Sequence, residues 1–117
     1  MNNFKELNVW QKAIKLVTAV YKNTQSFPKE EIYGLNSQIR RAAVSIPSNI
    51  AEGAGRKTLG DFSHFLDIAR GSSFELETHL IIGLNLGYLK QTDFDSLISD
   101  LDEIQRMITG LQNSLNH

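Results

Sequence analysis

From Phe94 to Leu115 an apolar residue returns at every third or fourth position: Phe94, Leu97, Ile98, Leu101, Ile104, Ile108, Leu111 and Leu115. At about 100° per residue these eight positions share one face of an α-helix. No other regular structure brings them together, and this stripe is the strongest constraint on the fold. Thr92, with Asp95 three residues on, is the expected cap of that helix.

Three earlier segments carry the same period. Over residues 7–25, Trp10, Ala13, Ile14, Val17, Val20, Tyr21 and Thr24 form a broad stripe. Phe27-Pro28 ends it, because a residue before proline is pushed out of the helical region. Over residues 34–53, Leu35, Ile39, Ala42, Ala43, Ile46 and Ile50 share a face. Pro47 falls inside this segment, where it removes a backbone donor and crowds the preceding turn, so a kink is expected. The run Gly53-Ala54-Gly55 is expected to stop the helix and supply left-handed backbone. The third segment starts at Thr58, a cap with Asp61 three residues on, and carries Phe62, Phe65, Leu66, Ala69, Ser73, Leu76, Leu80 and Leu84 to Gly87. It would be roughly 43 Å long. Residues 113–117 are expected to fray.

No alternating run bounded by turn signals occurs. Four amphipathic helices with short links predict an all-α, antiparallel up-down-up-down four-helix bundle with a kinked second helix, residues 1–117 forming one domain. The chain has no cysteine, which excludes disulfides, a thiol nucleophile and thiolate metal sites. It has no apolar run of membrane-spanning length, and its first ten residues lack the pattern of a signal peptide. A cytoplasmic location, with no membrane partner, is the expectation.

Two segments hold more apolar or small surface than a lone bundle requires. The third carries Ile68, Phe74, Ile81, Ile82 and Leu86 off its main stripe. The second has a non-core face of Ser37, Ser45, Ser48 and Asn49, with only Arg40 and Arg41 as charges between Leu35 and Ala51. Solvated helix faces normally carry Lys and Glu, whereas such surfaces suit close helix contact. A homo-oligomer is therefore expected, with Ser45, Pro47, Ser48, Asn49, Ile68, Phe74, Ile81 and Ile82 at its interface. The competing reading buries these residues within the protomer.

Catalytic and metal constellations are lacking. Asp61-x-x-His64 and Glu75-x-x-x-His79 lie on one segment with no counterpart on another, short of the ligand set of a di-iron bundle. No serine sits in a Gly-x-Ser-x-Gly elbow, and Gly53-Ala54-Gly55-Arg56 lacks the ending of a phosphate-binding loop. The expectation is a non-enzyme with no catalytic residue, metal, cofactor or small-molecule substrate.

Charge is divided unevenly. The net charge is −1, yet residues 1–58 hold nine basic against four acidic side chains (net +5), and residues 59–117 hold three against nine (net −6). Lys5, Lys12, Lys15 and Lys22 lie opposite Trp10, Val17 and Tyr21 on the wheel, along roughly 26 Å of helix. Lys12, Lys15, Lys22, Arg40, Arg41, Arg56 and Lys57 are the candidate nucleic-acid-binding residues. The competing reading is a face kept soluble by lysine. The acidic residues Asp95, Asp100, Asp102 and Glu103 favour the alternative function, a scaffold that meets a basic protein partner without binding nucleic acid.

The string from Gly34 through Ser45-Ile46-Pro47-Ser48-Asn49-Ile50-Ala51-Glu52-Gly53 to Arg56, followed by Phe62, Phe65-Leu66, Ile68-Ala69-Arg70-Gly71-Ser72 and Glu75-Leu76-Glu77-Thr78, closely resembles the bacterial four-helix proteins of ribosomal RNA intervening sequences. The opening Phe4-Lys5-Glu6-Leu7-Asn8-Val9-Trp10 and the run Phe27-Pro28-Lys29-Glu30-Glu31 resemble that family too. The resemblance spans nearly the whole chain. It implies an antiparallel bundle, a pentameric ring and an association with ribosomal RNA genes, with RNA as the favoured partner. A more distant resemblance is to the accessory protein of diversity-generating retroelements, a basic pentamer, from which this acidic chain departs in net charge. Within the motif, Gly71 and Ser72 are expected to let the second helix approach the third. Asn49 and Glu52 are expected to bridge to Arg40, Arg56 or a neighbouring subunit.

Overall fold

The apolar periods above resolve into four helices in a computed structural model that describes residues 3–116: α1 (Asn8–Thr24), α2 (Leu35–Ala54), α3 (Leu59–Asn85) and α4 (Gln91–Leu115). Short 3-10 turns cover Phe4–Glu6 and Lys29–Glu31, and no strand occurs among the described residues. Each helix packs on its two neighbours around a square, α1 on α2 and α4, α3 on α2 and α4. The bundle measures 45 × 24 × 20 Å. None of its helices is long and apolar enough to cross a membrane.

The core is the set of inward stripes. Leu97, Leu101, Ile104 and Ile108 of α4 meet Leu66, Leu76 and Leu80 of α3, Ile39, Ile46 and Ile50 of α2, and Leu16 and Val20 of α1, all buried. Phe27 closes one end, its ring 5.5 Å from that of Tyr88. On α1 the buried face is turned from the expected one. Val9 and Leu16 are core residues, Trp10 and Val17 only lean on the core, and Ile14 and Tyr21 face out. A wide stripe is ambiguous by one wheel position, and contact with α4 settles which edge is covered.

The seam between α2 and α3 is the tightest. Ala42, Ala43 and Gly53 of α2 are buried, as are Ala69, Ser72 and Ser73 of α3. α2 ends within Gly53-Ala54-Gly55 as expected, at Ala54, with Gly53 itself still helical. A Cβ on Gly53 would sit 2.7 Å from the Phe65 Cβ and 3.2 Å from the Phe62 carbonyl oxygen. Gly55 has φ −83°, so the expected left-handed turn is absent at Gly53-Ala54-Gly55. Ser72 meets Ser45 as a small residue should, Oγ to Oγ 2.8 Å, but Gly71 faces out with open space around it and takes no part in the approach.

Helix ends follow local chemistry more closely than the pattern alone conveys. Thr58 caps α3, its Oγ1 accepting from the Asp61 amide at 3.1 Å. α3 stops at Gly87, the one residue with positive φ (79°) among those described. There the Tyr88 amide donates to the Gly83 carbonyl and the Gly87 amide to that of Leu84, the Schellman arrangement. Thr92 does not cap α4. The helix starts one residue earlier behind Lys90, and its first turn is tied by Gln91 Nε2 donating to Asp95 Oδ1 at 2.8 Å. Residues expected to fray remain helical to Leu115, with residue 117 outside the described part. α2 runs unbroken through Pro47, whose ring is buried and whose missing amide leaves the Ala43 carbonyl without its helical donor.

Gly53→Ala tests the seam. Alanine favours a helix over glycine by about 1 kcal/mol. The 2.7 Å approach to Phe65 forces α2 and α3 apart, and overpacking of this kind costs typically 1–3 kcal/mol. The expected net result is a lower melting temperature by thermal denaturation. An unchanged or raised value would show that the seam yields.

Candidate functional site

The seven candidate cations separate into two groups. Lys12, Arg40 and Arg56 are engaged by their own protomer. Lys12 Nζ lies 3.1 Å from Glu103 Oε2 and 3.6 Å from Asp100 Oδ1, joining α1 to α4. The hydrogen bond to Glu103 leads in holding this ammonium above the ordinary lysine range, against a smaller opposing effect of burial. Arg40 stacks on Tyr21, its guanidinium carbon 4.4 Å from the ring centre. Its Nε donates to Thr24 Oγ1 at 3.0 Å and its Nη2 to the Tyr21 carbonyl at 3.3 Å. Arg56 pairs with Glu52 at 3.3 Å, as expected, and lies 4.6 Å from the Phe65 ring centre. Lys15, Lys22, Arg41 and Lys57 are exposed and make no ion pair among the described residues. The continuous basic stripe is therefore broken at Lys12, because α4 brings two carboxylates to it.

The eight candidate interface residues also divide. On α3, Ile68 (39%), Phe74 (52%), Ile81 (41%) and Ile82 (42%) are all exposed in the protomer. Phe74 sits over the α3–α4 seam in a shallow groove with Arg70, Gln105, Arg106 and Thr109. On α2 the small residues do a different job. Ser45 bonds to Ser72, and Asn49 Nδ2 donates to the Ser45 carbonyl at 2.8 Å and to its Oγ at 2.9 Å. Asn49 thus holds Ser45 and reaches neither Arg40 nor Arg56. Pro47 is buried, and with the exposed Ser48 it lines an apolar groove of about 290 Å³ between α1 and α2. That groove also takes in Phe4, Trp10, Ile14, Val17, Val44 and Ala51, and no charged side chain lines it.

A second, separate groove of about 740 Å³ is lined by Tyr21, Ile32, Tyr33, Asn36, Ser37, Arg40, Arg41, Val44 and Ser45. Tyr33 is 97% exposed. Tyr33 and Ile32 escaped the sequence reading because they lie between helices, outside any apolar period. The available signal was an aromatic side chain beside a glycine, Tyr33-Gly34, with no helical partner.

No three His, Asp or Glu side chains converge as a metal site among the described residues. His79 Nε2 lies 3.8 Å from Glu75 Oε2, and its buried Nδ1 has no partner.

Comparison with known proteins fits this architecture. No curated protein matches the chain. A solved structure from Bacteroides thetaiotaomicron, described as a protein of unknown function from the S23 ribosomal protein family, superposes with a TM-score of 0.82. The two share 22% identity over 89% of this chain and 97% of that one, a likeness that establishes the fold. The family model of the 23S rRNA-intervening sequence proteins matches residues 5–110, so the chain belongs to that family.

Proposed function

We propose that the protein is a non-enzymatic, homo-oligomeric four-helix bundle that associates with ribosomal RNA. The observation that carries this reading is the apolar surface left open on the closed protomer. Ile68, Phe74, Ile81 and Ile82 face outward on α3, outside the buried core. Several large apolar side chains left exposed on one helix suit an interaction surface. The uncharged groove around Ile14, Val44 and Ser48 offers a second, different surface. Two unlike apolar faces on one chain suit head-to-tail contact, which closes into a ring when the rotation between copies closes. Five copies are the number the family resemblance implies. In a ring, Lys15, Lys22, Arg41 and Lys57 of each copy repeat, and phosphate contacts add across copies. The family name supplies RNA as the polyanion.

The second reading, a protein scaffold without RNA, is favoured by the neutralised Lys12 and by the carboxylates of α4. The charge of the partner separates the two, since only a polyanion releases counterions as it binds.

Assembly is tested by sedimentation. The wild type is expected to sediment well above its 13.2 kDa chain mass at micromolar concentration. The double variant Phe74→Asp, Ile82→Asp is expected to sediment as a folded monomer with unchanged helical circular dichroism, because both side chains are exposed in the protomer. A wild type found only as a single chain would remove the oligomer.

RNA association is tested by a salt series on ribosomal RNA fragments. Lys15→Ala and Arg41→Ala are each expected to weaken binding and to reduce the logarithmic salt slope by about 1. Lys12→Ala is expected to leave the slope nearly unchanged, since its charge is spent on Asp100 and Glu103, and to cost stability within the roughly 0.2–1 kcal/mol of exposed ion pairs. Salt-independent retention would favour the protein scaffold.

A further inference from the structure

We propose that the groove lined by Tyr21, Tyr33, Arg40 and Arg41 holds a nucleotide of single-stranded RNA, its base stacked on Tyr33 and its phosphate held by Arg41. This deepens the RNA reading above and rests on it. At 97% exposure, the Tyr33 ring has both faces in water and no contact that explains an aromatic residue there. Such a ring is a platform for a base, and every base has a π-face to offer it. In an RNA duplex the faces are already stacked on neighbouring bases, so the fitting partner is a single strand.

The charges lining the groove point the same way. Arg40 and Arg41 line the groove, and no carboxylate does. Glu31, on the preceding turn, is occupied: its Oε1 accepts from the Leu35 amide and its Oε2 from the Tyr88 hydroxyl. Arg40 is held flat on Tyr21 by its bonds to Thr24 and to the Tyr21 carbonyl, which gives the groove a rigid cationic wall. Arg41 makes no such bond among the described residues and is exposed, able to meet a phosphate. Asn36 Nδ2 donates to the Thr24 carbonyl at 3.3 Å, which assigns its other atom, Oδ1, as the acceptor. That oxygen is buried without a partner in a residue lining the groove. The volume, about 740 Å³, lies within the range of small-molecule sites. A phosphodiester with an unpaired base supplies an anion for the guanidinium and a flat ring for Tyr33 at once. An apolar helix face supplies neither.

The test is fluorescence anisotropy with a short labelled oligoadenylate single strand, alongside sedimentation of each variant. The wild type is expected to bind. Tyr33→Ala is expected to bind about tenfold more weakly, within the measured worth of one base stack. Tyr33→Trp should restore binding, because stacking needs the ring and not the hydroxyl. Arg41→Ala should weaken binding and flatten its salt dependence. Unlabelled duplex RNA of the same length should compete poorly. Equal binding by wild type and Tyr33→Ala overturns the groove, while the RNA reading stands on Lys15 and Lys22. No binding by the wild type at low salt overturns both. Dissociation of the oligomer on Tyr33→Ala places this ring between copies and overturns the nucleotide site, as does effective competition by the duplex.

Discussion

The close approach of α2 to α3 governs the rest of the bundle. With Gly53 against Phe65 and Phe62, and Ser45 bonded to Ser72, the two backbones are nearer than leucine-sized side chains allow. The seam is partly polar, but its polar atoms are satisfied. Asn49 donates to Ser45, and Ser45 meets Ser72. Buried hydroxyls paired in this way escape the penalty that unpaired ones carry. Because small residues line much of the seam, other bulky side chains of the two helices point elsewhere. Ile39, Ile46 and Ile50 turn to the common core, and Ile68 and Ile82 are left outside.

That displacement links packing to function. A helix of 27 residues cannot hide all its apolar side chains when one flank is taken by a tight seam and another by α4. The surplus on α3 is a consequence of how the core closes. The α1–α2 flank shows the same effect in milder form, where Ile14 and Val44 stay exposed beside the buried Pro47 and Tyr21 stays exposed elsewhere on α1. The buried Pro47 lines a recess between α1 and α2. One groove, near Trp10, is apolar, and a separate one, near Tyr21, is cationic.

Charge follows the same logic. The basic first half and the acidic second half of the chain are side by side in the bundle, and part of their charge cancels across the α1–α4 seam through Lys12. Arg40 and Arg56 are drawn onto aromatic rings, where a guanidinium loses little hydration. The cations left over are fewer than the sequence suggests, and they are spread over α1, α2 and the turn after α2.

The helices, their order and the α3 and α4 core stripes were legible in the sequence because burial on one side of a helix imposes a 3.6-residue period on residue type. Thr58 was legible as a cap because its hydroxyl and the Asp61 amide are three residues apart in any helix start. Positions decided by a neighbour were not. Whether Ile14 or Leu16 faces the core depends on where α4 lies. Whether Gly53 ends a helix or lets another approach depends on Phe65, twelve residues away. Whether Lys12 is free depends on carboxylates more than eighty residues downstream. Periodicity is a property of one element against an averaged interior, and it is written in the chain. The pairing of one face with one partner exists only after the chain has closed, and that pairing decided which cations remain available and which apolar side chains stay uncovered.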